Sequence, residues 1–127
     1  MSSQGSEAAS HTSCLRCGRR LTAQASVTRG YGRTCMARIA VAAQVADLAG
    51  FHDWQVDKAR ETIEVQAIVP LSRPGLYAAV SGDGVTVYLV DAREGSCTCK
   101  AAANGRRCYH LAGALILAAA APARKAA

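Results

Sequence analysis

Apolar positions change their period along the chain, and each change marks an element. From Met36 to Gly50, Ile39, Ala43, Ala46 and Ala49 fall at helical spacing, which predicts a helix over 36–50 with Gly50 as its stop. A second helix is predicted from Asp53, a good N-cap, through WQVDKARETIEVQAI, with Trp54, Val56, Ala59 and Ile63 on its buried side and Pro70 as its end. GLYAAVSGDGVTVYLV reads as two strands joined at Gly82-Asp83-Gly84, where glycine supplies the turn angles. A last helix is predicted from Tyr109 to about Ala121, over the longest apolar run of the chain. Between Cys14 and Cys35, glycine and arginine dominate, and only short hairpin-like turns are expected. Residues 1–10 and 122–127 lack periodicity and read as unpacked tails.

Composition sharpens this picture. The 127 residues are 50% hydrophobic, yet 27 are alanine and six are aromatic. Alanine buries little area, so the core is expected to be thin and to need staples. The six cysteines are the candidates. The polar start MSSQGSEAASHTS has neither the basic nor the apolar region of a secretory signal, and the run from Leu111 to Pro122 is too short to span a bilayer. A cytoplasmic protein is the expectation, with no membrane partner, and in that compartment cysteine clusters bind metal more often than they pair.

The stretch SCTCKAAANGRRCYHLAGALI carries the clearest chemistry. In an extended strand residues i and i+2 point the same way, so Cys97 and Cys99 present two thiols to one side. Cys108 and His110 follow where the last helix begins, and the positive end of that helix favours a thiolate, the form that binds metal. Three sulfurs and one imidazole nitrogen make a closed tetrahedral zinc site of the structural kind. A Cys-x-Cys disulfide would close a very small, strained ring. The pattern C-x-C-x8-C-x-H, after a hairpin and before an apolar helix, resembles the SWIM zinc finger over residues 76–121. The resemblance implies a small ββα zinc module, generally proposed to bind DNA or proteins, with Cys97, Cys99, Cys108 and His110 as ligands. The chain departs from the family pattern on either side of the loop. KAAA follows Cys99 where an aromatic is frequent, and Arg107 precedes Cys108 where a proline is frequent.

Upstream, HTSCLRCGRRLTAQASVTRGYGRTC gives C-x2-C-x17-C. Cys14 and Cys17 have zinc-knuckle spacing, Gly18 supplies the permissive backbone behind them, and Cys35 joins from the start of a helix. Six cysteines leave no fourth thiol for this site. His11 is the first choice for the fourth ligand, His52 the alternative, and a water or unusual ligand stays open. The segment 11–38 resembles a short, uncharacterised zinc-finger-like domain of actinobacterial and phage proteins with the form C-x2-C-G-R-x-L … S … G-x-G-x-x-C. That resemblance implies metal binding through Cys14, Cys17 and Cys35 and no known activity. A redox C-x-x-C needs a βαβ setting, and nothing upstream of Cys14 supplies its strand.

Charge points to partners. Residues 1–46 carry six arginines and one acid, residues 47–92 three basic residues and seven acids, and residues 93–127 six basic residues and one acid. Basic ends thus flank an acidic middle, and each basic end holds three cysteines. Arg16, Arg19, Arg20, Arg29, Arg33 and Arg38 surround the first cluster, and Lys100, Arg106 and Arg107 lie in the loop of the second. Arginine forks onto phosphate oxygens, so these are the candidate nucleic-acid contacts, with Tyr31 and Tyr109 as candidates to stack on bases or to pack. Three thiolates and Zn²⁺ sum to one negative charge per site, which brings the loaded chain from its formal +6 to about +4. No H-x-E with a separate C-x-x-C, no H-E-x-x-H and no phosphate-binding glycine loop occurs, so no enzyme and no small-molecule substrate are expected.

Together these readings give an α+β, zinc-stabilised domain holding two zinc ions. A zinc-knuckle module with its helix (11–50) and a connecting helix and loop (51–75) precede a SWIM-like finger (76–121). The expected function is binding of nucleic acid, DNA first. The alternative is a protein-interaction adaptor for a transcription, replication or phage-encoded regulatory complex.

Overall fold

The computed structural model describes residues 12–122. The expected tail at 1–10, residues 123–127 and His11 lie outside the described residues. Three helices, α1 (Gln24–Arg29), α2 (Arg33–Val45) and α3 (Asp53–Glu64), precede a sheet of β1 (Ile68–Pro70), β2 (Leu76–Val80), β3 (Val87–Asp91) and β4 (Ser96–Cys97). A single turn of helix, α4 (Lys100–Ala103), and the long α5 (Tyr109–Ala120) complete the order. The sheet is an antiparallel meander in chain order, with Ile68 opposite Ala79, Tyr77 opposite Val90, and Val90 opposite Cys97.

α5 is the centre of the molecule. His110, Leu111, Ala112, Gly113, Ala114, Ile116, Leu117 and Ala120 are all buried, so it is covered on nearly every side. A helix apolar all round belongs inside a fold. It packs against α2 and α3 and against the sheet, joining a core with Ile39, Ala59, Ile63, Ile68, Tyr77 and Val90. Small residues allow this. A Cβ placed on Gly113 would stand 3.4 Å from Ile68 Cδ1 and 3.8 Å from the Ala59 Cβ. The alanines expected to thin the core instead let backbones approach closely and bury the helix.

Several expected boundaries move. α2 begins at Arg33 and ends at Val45, short of Gly50, because Ala46 turns to extended backbone and Asp47 Oδ1 accepts from Ala49 N–H in a local turn. Gly50 does take positive φ, at 93°, but inside the loop beyond that turn. The N-cap of α3 is His52 rather than Asp53, in a capping box with Gln55. Gln66, at φ 58°, breaks α3 after Glu64, while its amide donates to the Thr28 and Arg29 carbonyls of α1. Pro70 therefore ends no helix. It sits in β1, which pairs on one side only, and an edge strand tolerates a missing N–H. α1 and α4 occupy stretches expected to be irregular, 24–29 and 100–103. The β2–β3 turn is fastened by the Asp83 carboxylate, which accepts from Val85 N–H and Thr86 N–H at 2.8 and 3.0 Å.

Trp54 is not on the buried side of α3. Gln55, Ala59, Thr62 and Ile63 are buried, and one residue of offset rotates Trp54 onto the face of Lys58 and Glu61, where it is 62% exposed.

Candidate metal centres and the surfaces beside them

At the second cluster, Cys97 leaves the sheet in β4, Cys99 stands before α4, Cys108 before α5, and His110 in the first turn of α5. Their four ligand atoms all lie within 4.8 Å of one another. Cys99, Cys108 and His110 are buried and Cys97 is half-buried. α4 begins directly after Cys99, and its Ala101 and Ala102 pack on the core. Gln55 of α3 donates to the Arg107 carbonyl at 3.0 Å, which pins the loop just before Cys108. In this way the loop is held without the aromatic and proline of the family pattern.

The electrostatics favour a cation. Burial pushes the Cys97 thiol up to about 12. Cys99 comes out lowered although burial opposes it, because the N–H groups of Ala102 and Ala101 face its sulfur. Burial lowers His110, which keeps the imidazole neutral, its ligating form. His110 Nδ1 faces Cys97 Sγ at 3.9 Å, and His110 Nε2 is buried without a hydrogen-bond partner among the described residues. Nδ1, facing a gathered set of sulfurs, is placed as a metal ligand. Tetrahedral Zn²⁺, with bonds of about 2.3 Å to sulfur and 2.0 Å to nitrogen, spaces its ligand atoms about 3.5–3.8 Å apart. The set fits zinc.

At the first cluster, the knuckle is a tight loop closed by a bridge between Ser13 and Arg20. Cys14 N–H donates to the Arg19 carbonyl and Gly18 N–H to the Cys14 carbonyl, at 2.8 and 2.9 Å, and Gly18 takes φ 81°. Cys35 arrives from the first turn of α2. The sulfurs of Cys14, Cys17 and Cys35 lie within 4.8 Å of one another, Cys14 and Cys35 buried and Cys17 exposed. Burial raises the Cys14 thiol, but hydrogen bonds from the N–H groups of Cys17, Gly32 and Arg16 outweigh it and leave it at about 7. Cys35 is raised by burial, against the pull of Arg16. Three gathered sulfurs served by N–H donors are a thiolate donor set of zinc-knuckle form, and they fit a second zinc ion. His52 does not belong to this cluster; it caps α3 instead.

Arg16 was expected on phosphate and is spent within the protein. Its guanidinium donates to Cys35 Sγ at 3.3 Å and, through Nε, to the Ala120 carbonyl at the end of α5, while its N–H faces Cys14 Sγ at 3.4 Å. The position of Arg16 between two ligands was the available signal for this role. Arg29 is also turned inward, with an NH2 contact of 3.5 Å to the Tyr31 carbonyl and a buried Nε. Tyr31 is fully buried and packs. Arg19, Arg20, Arg33 and Arg38 are exposed, and together with Arg16 they line one open groove of about 1130 Å³ beside the first cluster.

Lys100 and Arg107 line a smaller cavity of about 320 Å³ against the second cluster. Arg107 lies 4.9 Å over the Phe51 ring and donates to the Ala49 carbonyl at 3.3 Å. Arg106 is exposed and lines neither space.

No helix among the described residues is long and apolar enough to cross a membrane. No curated protein and no solved structure matches this chain. Two family models do match parts of it. Residues 4–40 match a family of unknown function (DUF6011), and residues 85–119, which hold all four ligands of the second centre, match the SWIM zinc finger.

Proposed function

We propose that the protein binds nucleic acid, DNA first, along the groove beside the first zinc site, and acts as a binding protein rather than an enzyme. The observation that carries this reading is the lining of the groove. Arg19, Arg20, Arg33 and Arg38 converge on it from the knuckle and α2, and among the described residues neither Asp nor Glu lines it. Four exposed guanidinium groups around one concave surface suit a phosphodiester backbone, which each can grip with paired hydrogen bonds. The non-enzymatic part rests on the second centre, whose full ligand set leaves no position for an activated water.

The test is binding of zinc-loaded protein to duplex, single strand and RNA across a salt series. Affinity should fall linearly in log–log terms, with a slope of roughly −0.9 per phosphate neutralised on duplex. Arg19→Ala with Arg20→Ala should make the slope shallower by up to about two units at unchanged metal content. Binding and slope that ignore this pair and Arg33→Ala with Arg38→Ala would defeat the reading.

One observation favours the adaptor as a second reading. Val85, Val87 and Leu89 stand 81%, 61% and 48% exposed, with Val87 and Leu89 on the sheet face opposite the half-buried Tyr88 and the buried Val90. Capture of one protein that survives nuclease treatment, and that is lost with Val87→Lys, would support it.

A further inference from the structure

We infer that the cavity against the second zinc centre is a stacking pocket for one unpaired nucleobase, with Trp54 as its platform. The inference rests on the nucleic-acid reading and adds a second site to it, of different chemistry from the arginine groove.

Trp54 carries the argument. An indole offers more apolar area than any other side chain, and here 62% of the residue is left in water, a cost that a bound apolar or aromatic group would remove. It rims the cavity of about 320 Å³ that Tyr88, Tyr109 and His110 also line. Those three rings form one wall, with His110 between the tyrosines at centroid distances of 5.3 Å to Tyr88 and 4.2 Å to Tyr109. Metal on His110 would fix the middle ring and hence the wall. Lys100 and Arg107 also line it, and among the described residues no Asp or Glu does. Phe51 and the Ala49 carbonyl hold Arg107 in place.

A space bounded by aromatic rings and two cations selects a flat π-system joined to an anion. A nucleobase with its phosphate answers to both. Stacked and paired inside a duplex, a base hides its faces, so the pocket discriminates for single strands, gaps or flipped bases. An apolar peptide would use the rings and leave the cations without a role.

Trp54 is the chain's single tryptophan, so its emission reports the pocket alone. Zinc-loaded protein is titrated with a labelled oligothymidylate and with a blunt duplex, following indole emission and label anisotropy together. The single strand should quench emission in step with the rise in anisotropy, and the duplex should raise anisotropy with little quenching. Trp54→Ala should weaken single-strand binding about five- to a hundredfold and leave duplex affinity and zinc content unchanged, with Trp54→Phe between the two. Single-strand binding with unchanged emission and no loss in Trp54→Ala would overturn the pocket while the groove reading stands. No anisotropy change with any nucleic acid would remove both.

Discussion

The two zinc centres use the same elements of chemistry in opposite surroundings. The second is built from β4, the start of α4 and the first turn of α5, with three of its four ligands buried under the sheet and the central helix. The first ties a knuckle closed by one isolated bridge to Cys35 of α2, with Cys14 and Cys35 buried, Cys17 exposed and an open groove beside it. A metal enclosed by the core must fold with it, because its ligands lie on the elements that make the core. A metal that ties a surface loop to a core helix orders that loop and the side chains it displays. The contrast separates what holds the molecule from what the molecule presents.

The sharpest way to break this comparison is to remove one thiol from each centre. Cys108→Ser should abolish cooperative melting of the sheet and α5, since structural zinc contributes about 10–16 kcal/mol in small zinc domains, comparable to the whole stability of a domain of about 5–15 kcal/mol. Cys17→Ser should lower zinc from two ions per chain to one and leave the main transition in circular dichroism standing. Equal collapse of both variants would erase the distinction.

Chelation should order the sites without any mutation. A competing chelator should withdraw zinc in two phases, one equivalent quickly from the centre that holds the exposed Cys17 and one slowly with unfolding. A single phase would mean that the centres open together.

Arg16→Met tests whether the first centre leans on the core. Losing hydrogen bonds from a charged group to Cys35 Sγ and the Ala120 carbonyl should cost about 1.5–3 kcal/mol and lower the melting temperature with both metals still bound. Gly113→Ala should have the smallest effect. Helix propensity gains about 0.8–1 kcal/mol against new contacts of 3.4 and 3.7 Å to Ile68 and 3.8 Å to Ala59, all of ordinary van der Waals length, so a slight rise in melting temperature is expected. A marked fall would show that α5 and β1 are packed too closely for a methyl group.

How much was legible beforehand follows from which signals are local. The ligands of the second centre sit within fourteen residues, Cys97 to His110, in a spacing that chemistry constrains, and the strands around Asp83 alternate openly. The end of α3 was not legible because EVQAIV serves either period, and the break depends on Gln66 reaching back to α1, a partner 37 and 38 residues away. Trp54 has the size of a core residue and is exposed. The phase of Ala59 and Ile63 already put it on the face of Lys58 and Glu61. Arg16 looks like its neighbours in composition, and its place between two ligands is the one local sign of a different task, which Cys35 and the end of α5, 104 residues on, complete. Alanine in α5 was read as weakness because area was counted and the closeness of backbones was not.

α5 also acts as a ruler. It starts at the ligands of one centre, Cys108 and His110, and its last carbonyl is held by Arg16, which sits on the sulfurs of the other. A helix of twelve residues spans roughly 18 Å at 1.5 Å per residue. That length sets the spacing of the two centres by one stiff rod of about three and a third turns, since any inserted residue would lengthen it and rotate one centre about its axis by about 100°. On a duplex rising 3.4 Å per base pair, the same span measures about five steps. The chain therefore carries a set interval as well as two sites.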